Sequence, residues 1–342
     1  MSDPLRRLAP VIRVAPAKLN LTLAVLGRRS DGFHDLHSVM VPLVLADRVS
    51  LAAIPPGPDA RDSLHVEGLD PGPDVDNLAL RTIAVARQAV GGGWPGGPGP
   101  APALAVRLEK RIPVAAGLAG GSSDAAAALD GALEAWGAEL DAASRLAVAA
   151  RLGSDVPFFL AGGTALVEGR GERVTRLHGI RGQPGILLVT PGLPVPTPDV
   201  FAAFGARGGR GDGSVRMTSE HLAVELRNGL SAADLIARAG VLAAANDLLA
   251  AATIVVPQLV PFRRALFRLL GRPVGLSGSG PTLWALYPSQ DEATEAASTV
   301  RAALDDGRIA TIGTGRPAVH ATTTVARQVG TMPGSDAEGT NR

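Results

Sequence analysis

The chain has no cysteine, which removes disulfides, thiolate metal sites and cysteine nucleophiles from consideration together. Aromatic residues make up 3% of its 342 residues, too few for the stacking platforms that hold single-stranded nucleic acid. Although 46% of the chain is apolar, no uninterrupted apolar run approaches the ~18 residues of a membrane-spanning helix. Arg6 and Arg7 near the start are followed by no apolar segment of signal-peptide length, so the expectation is a cytoplasmic protein with no membrane partner. Net charge is nearly absent as well, at +1 from 33 basic and 32 acidic residues. That balance offers no broad electrostatic footprint for nucleic acid, and any anionic ligand must be held by local geometry.

Lysine is the scarcest cation. Of the 33 basic residues two are lysines, Lys18 and Lys110. In a chain that uses arginine wherever a cation will do, a lysine is a candidate for work needing a compact, point-like ammonium. Chance survival is the plain alternative, but both lysines sit beside motif-like stretches.

The length suits two domains. Alternation of Leu19, Leu21, Leu23 and Val25 with polar or small residues predicts extended pieces over 12–26. Asp31-Gly32 marks a turn, with further strands expected over 37–45 and 47–53. Helical spacing covers 77–90, and a solvated Gly/Pro connector follows over 91–100. A strand over 104–108, an alanine-rich helix over 122–136, a helix over 141–152 and a strand over 164–168 complete the first half. In the second half, strands at 186–190, near Val274, over 282–287 and over 318–325 frame several helices, including 291–304. That order predicts a split βαβ, ferredoxin-like layer with helices on one face of an antiparallel sheet. Residues 205–219 read as a polar insert. Within it Arg207-Gly-Gly-Arg210-Gly-Asp212 reads as a solvated loop, and 328–342 as a disordered tail.

The richest segment is Pro113-Val-Ala-Ala-Gly117-Leu118-Ala119-Gly120-Gly121-Ser122-Ser123-Asp124-Ala-Ala, which joins a strand to a helix. Glycines let backbone N–H groups approach a ligand, and the helix start adds unpaired donors and a positive dipole end suited to phosphate. Ser122 and Ser123 can cap the helix, donate to a phosphate oxygen, or place a hydroxyl on Mg2+. A flexible capped loop is the alternative. It is not a Walker A loop, because no Gly-Lys dipeptide occurs, and its glycine spacing does not fit the dinucleotide fingerprint.

This segment resembles the central phosphate-binding motif of the GHMP kinases. Ala15-Pro16-Ala17-Lys18-Leu19-Asn20-Leu21 is similar to that family's N-terminal motif, and Leu276-Ser277-Gly278-Ser279-Gly280-Pro281-Thr282 to its C-terminal glycine loop. Asp31-Gly32-Phe33-His34, Leu152-Gly153-Ser154-Asp155-Val156-Pro157-Phe158-Phe159 and Asp76-Asn77-Leu78 resemble segments of its diphosphocytidyl-methylerythritol kinase branch, and Asn246-Asp247-Leu248 and Thr197-Pro198-x-Val200-Phe201 also fit. Phe33 stands where that branch has tyrosine, Ala119 interrupts the glycine run, and Ser154 replaces an alanine.

The resemblance implies an α+β fold of two domains: a ribosomal-S5-domain-2-like unit over 1–175 and a ferredoxin-like α/β sandwich over 176–327. It implies an ATP- and Mg2+-dependent kinase of the methylerythritol phosphate route to isoprenoids, monomeric or homodimeric, acting on a small cytidine diphosphate-linked methylerythritol. Asp155 would be the base, where the residues alone also allow a turn or cap carboxylate ahead of an apolar run. Lys18 would support it. Pro113, Gly117, Leu118, Ala119, Gly120, Gly121, Ser122 and Ser123 would cradle ATP, with Ser122 offered to Mg2+. Asn77 would meet the adenine or cap its helix, and Lys110 would steady phosphates or end its strand. Asn20 and His34 would hold substrate polar groups and Phe33 would stack on cytosine. Gly278, Ser279 and Gly280 would close over the ligands, or form a tight hairpin turn. His34 and His37 lack a third ligand nearby, so zinc is not expected. Homoserine kinase and a non-catalytic nucleotide-binding protein on the same fold are the rival readings.

Overall fold

The computed structural model describes residues 10–326 other than 56, 74–75, 92–98 and 212. Most of the glycine-rich connector, Asp212 and the tail over 328–342 therefore lie outside the described residues.

The first sheet is organised by one long strand. β1 (Val11–Asn20), β2 (Ala24–Arg28) and β3 (His34–Ala53) lead the chain, and the stretches read as two strands are one 20-residue β3. Its length is set by its partners: β2 then β1 line one edge, while β6 (Ala165–Gly169) then β5 (Leu104–Lys110) line the other. β4 (Ser63–Gly68), absent from the sequence reading, pairs parallel to β5, and β7 (Arg173–Arg176) closes the opposite edge.

α1 (Leu78–Val90), α2 (Gly120–Trp136), α3 (Ala142–Leu152) and the short α4 (Val156–Ala161) cover this sheet around a shared core. Alanine dominates α2 because the helix lies close against the strands. A Cβ added at Gly131 would stand 2.3 Å from Leu51 Cδ1. Small side chains permit that approach, and packing replaces bulk.

The second sheet contains β8 (Gly185–Thr190), β9 (Gly275–Leu276), β10 (Leu283–Tyr287) and β11 (Ala318–Thr323) in the order β11-β8-β10-β9, wholly antiparallel. This is the expected ferredoxin-like order. Its coverage differs from expectation, because both faces are buried. Leu187, Val189, Leu283 and Ala285 meet α5 (Thr197–Ala206), α9 (Leu249–Val255), α10 (Leu259–Leu270) and α11 (Gln290–Asp305). Ile186, Leu188, Trp284 and Leu286 meet α6 (Ser214–Arg227), α7 (Ala232–Ala237), α8 (Ala239–Ala244) and the apolar face of β1 and β3. Two covered faces explain why β8 is apolar at consecutive positions. The polar insert also shrinks: α5 and α6 take up both its ends and leave only residues 207–213 between helices. No helix among the described residues is long and apolar enough to cross a membrane.

Candidate active site

A cleft of about 1420 Å³ opens where the turn before α2, the β2–β3 turn, α5 and the β9–β10 turn converge. Fifteen of the eighteen residues singled out from sequence line it; Leu118, Ser123 and Gly280 do not.

The turn before α2 is built from backbone strain and docking. Gly117 is left-handed (φ 76°), and an added Cβ would stand 2.4 Å from the carbonyl oxygen of Ser277. The Ser277 hydroxyl donates to the Gly117 carbonyl at 3.0 Å, locking this turn to the C-terminal glycine loop. Leu118 is in the core, where its carbonyl accepts the Lys18 N–H at 3.0 Å. The N-cap of α2 is Ala119, itself left-handed at φ 55° and offering no side-chain cap. Ser122 and Ser123 are therefore not caps. They lie within the first turn, where Ser122 lines the cleft and the Ser123 hydroxyl is buried without a partner. The first backbone bond of the helix runs from Ser123 N–H to Ala119. The N–H groups of Gly120, Gly121 and Ser122 precede it and lack intrahelical acceptors, the arrangement that holds phosphate.

Lys110 sits beneath the turn. Its ammonium pairs with Asp47 and, at 2.8 Å, with Asp124, all three buried. Asp47 also accepts the N–H groups of Arg111 and Ile112, so the trio pins the end of β5 to β3 and α2. Burial works against the charged lysine, but Asp124 and Asp47 outweigh it and hold its pKa above the ordinary value. Burial pushes Asp124 up to about 7, with Lys110 pulling against that rise and Asp47 adding to it.

Lys18, at 3% exposure, is a buried cation of the cleft wall. Its Nζ lies 3.9 Å from Asp155 Oδ2 and donates to Asn20 Oδ1 at 2.5 Å. Burial lowers its pKa and the nearby Asp155 partly restores it. Asp155 stands at the N-cap of α4, where it makes no capping hydrogen bond, and its side chain is 31% exposed toward the cleft. Gly278 (φ 58°) presses close: an added Cβ would stand 3.4 Å from Lys18 Nζ. The loop carrying it does turn β9 into β10, and Asn246 steadies it by donating to the carbonyls of Leu276 and Gly278.

At the other end, Phe33 is 47% exposed under the Arg170 guanidinium, 5.1 Å from the ring centre. His34 stacks on Phe201 at 4.8 Å, and its Nε2 is buried without a partner. Burial, followed by Arg28, lowers the His34 pKa and so favours the neutral ring. Asn77 caps α1 by accepting the Ala79 N–H at 2.9 Å and also lines the cleft.

Sequence reasoning missed Arg170, for which no local signal exists, and it set aside the arginine–glycine loop. Gly208, Gly209 and Arg210 line the cleft, so that loop is a wall of the site and not merely solvated chain. His37 lies away from the cleft, bonded to Ser219 at 2.9 Å.

A glycine-rich helix start facing a buried lysine and a partly exposed aspartate, on two sheets of this topology, is the arrangement of a small-molecule kinase of the GHMP class. The models of the GHMP kinases N terminal domain and the GHMP kinases C terminal domain match residues 77–163 and 224–306. A 4-diphosphocytidyl-2-C-methyl-D-erythritol kinase of Pelotomaculum thermopropionicum is 37% identical over 291 residues, covering 85% of this chain and 94% of the relative. One from Methylorubrum extorquens is 40% identical over 296 residues, with 84% and 94% covered. A crystal structure of 4-(cytidine 5'-diphospho)-2C-methyl-D-erythritol kinase superposes with a TM-score of 0.65 at 33% identity, over 92% of this chain and all of that one. Homoserine kinase from Cytophaga hutchinsonii, at 16% identity and a TM-score of 0.60, shares the fold. The chain belongs to the 4-diphosphocytidyl-2-C-methyl-D-erythritol kinase family.

Proposed function

We propose that the chain transfers the γ-phosphate of ATP to the 2-hydroxyl of 4-diphosphocytidyl-2-C-methyl-D-erythritol, in the cytoplasm, and that Asp155 and Lys18 carry the step. The observation behind this reading is the 3.9 Å pairing of Lys18 with Asp155 in the cleft that the first turn of α2 faces. Asp155 takes the proton of the hydroxyl, its oxygen attacks the γ-phosphorus in line, and ADP leaves. Lys18, dehydrated and positive, offsets the charge gathering between nucleophile and phosphate. The free N–H groups of 120–122 hold the triphosphate, since the charge of Lys110 is already matched by Asp47 and Asp124.

The oxygen-rich donors near that turn suit Mg2+: Ser122 Oγ, with the carboxylate of Asp124, whose Oδ1 is buried without a partner. Bound there, Mg2+ would neutralise charge on the β- and γ-phosphates. Phe33 and Phe201 offer stacking faces for cytosine, and the unpartnered Nε2 of His34 offers it a polar contact. The extent of identity to the two relatives favours this acceptor over homoserine.

A coupled ADP-release assay across 4-diphosphocytidyl-2-C-methyl-D-erythritol, homoserine and mevalonate tests the reading. Turnover confined to the first acceptor is expected. Preferential turnover of another overturns the substrate, and absence of single-turnover transfer to all three overturns catalysis.

A further inference from the structure

Lys18 is held by a side chain whose own orientation is dictated from behind. Asn20 Oδ1 accepts from Lys18 Nζ at 2.5 Å, and Asn20 Nδ2 donates to Ser38 Oγ at 2.8 Å. The two ends of an amide differ only in hydrogen bonding, so something must forbid the flipped rotamer. Ser38 Oγ supplies it. Its one proton is committed to the Thr22 carbonyl at 2.5 Å, leaving it able only to accept from Asn20. A flipped Asn20 would set its NH2 against an ammonium and its carbonyl against a lone pair. Lys18, Asn20 and Ser38 are 3%, 2% and 0% exposed, so breaking either contact leaves a buried polar group short of a partner.

We propose that Ser38, which is buried behind the cleft wall and does not line the cleft, is the positioning residue that locks the Asn20 amide and through it seats the Lys18 ammonium beside Asp155. Asp155 is the charged side chain within ion-pair distance of Lys18 among the described residues, approaching from α4. The other contacts of the lysine, Asn20 from β1 and Gly278 from the glycine loop, are uncharged. A second branch of the network supplies a control. Thr22 Oγ1 donates to Ser219 Oγ at 2.8 Å, and that hydroxyl meets His37 Nδ1 at 2.9 Å. Ser219 is as buried as Ser38 but makes no contact with Asn20.

The link between Lys18 and turnover rests on the function proposed above, so the test reads the lysine directly. With two lysines in the chain, protein labelled with 13C at lysine Cε gives two side-chain signals, and Lys18→Met assigns them. Ser38→Ala frees the amide to turn, the ammonium loses its acceptor, and the Lys18 titration moves to lower pH by about one unit. Because the ammonium form is the active one, the alkaline limb of the kcat profile moves the same way. Turnover falls about tenfold, with the KM for ATP unchanged. Ser219→Ala leaves the Lys18 titration in place. Should Ser38→Ala not fold, the near-isosteric Ser38→Cys, a weak donor, is read for a smaller shift in the same direction. An unmoved Lys18 titration in the Ser38 variant, or an equal shift in Ser219→Ala, overturns the proposal. A shifted titration with unchanged turnover instead overturns the catalytic role given to Lys18.

Discussion

Replacing Asp155 by asparagine keeps the shape of the cleft and removes one charge, and the structure makes the consequence double. The base for the acceptor hydroxyl disappears, which by itself lowers turnover by about 10²–10⁴-fold. The same carboxylate also sustains Lys18, whose pKa burial lowers and Asp155 raises. Two unit charges at the observed 3.9 Å separation interact by about 4 kcal/mol at an effective dielectric of about 20. Asp155 is 31% exposed, so solvent screens much of this. If a third survives, about 1.4 kcal/mol, the Lys18 titration drops by about one pH unit. Asp155→Asn is therefore expected to show greatly reduced kcat in a coupled ADP-release assay, with ATP affinity by calorimetry within about threefold of the parent. The residual activity would decline at a lower pH than in the parent. Near-normal turnover would show that Asp155 is not the base. Lost turnover with an unmoved lysine signal would show that the pair is too well screened to couple.

Phe33→Ala removes the exposed face beneath Arg170, and with stacking worth about 1–3 kcal/mol per base the KM for the cytidine substrate rises about tenfold or more while that for ATP holds; equal rises in both would argue against a cytosine contact. Ala119 sits at φ 55°, so Ala119→Gly relieves roughly 1 kcal/mol of strain, partly offset by the freer unfolded chain. Its melting temperature rises by about 1–2 °C, and a fall would contradict the strained cap. Asp124 holds its proton up to about 7 in the fold, above its unfolded value, so it contributes stability that is complete below about pH 4 and lost as pH rises through 7. Asp124→Asn should lose less stability between pH 5 and 8 than the parent in urea unfolding; an unchanged difference would remove Asp124 from that window.

The residues that come to share the cleft were readable locally because they lie in short motifs. The glycine-rich turn, Asp155 ahead of Val156-Pro157-Phe158 and Lys18 beside Asn20 all line one cleft. Readings that failed were those in which distant partners set the outcome. Residues 34–53 carry no mark of a single strand, and become one because four other strands bond along their two edges. β4 and β7 lie beside loops, carry exposed polar residues along their length, and are strands through pairing with β5 and β6. The serines of the turn resemble caps in sequence, yet the helix starts at Gly120 with Ala119 taking the strained position.

Spacing and residue type alone determined which atoms could do chemistry: a helix start with free N–H groups, a scarce lysine, a carboxylate before an apolar run. Only the tertiary structure decided their use. It dehydrated Lys18 and set it 3.9 Å from Asp155, turned Lys110 inward to two carboxylates, and drew Arg170 and the 208–210 loop into the cleft wall. The reason is that hydrogen-bonding type is a property of each residue, whereas burial and charge proximity belong to pairs brought together from far along the chain.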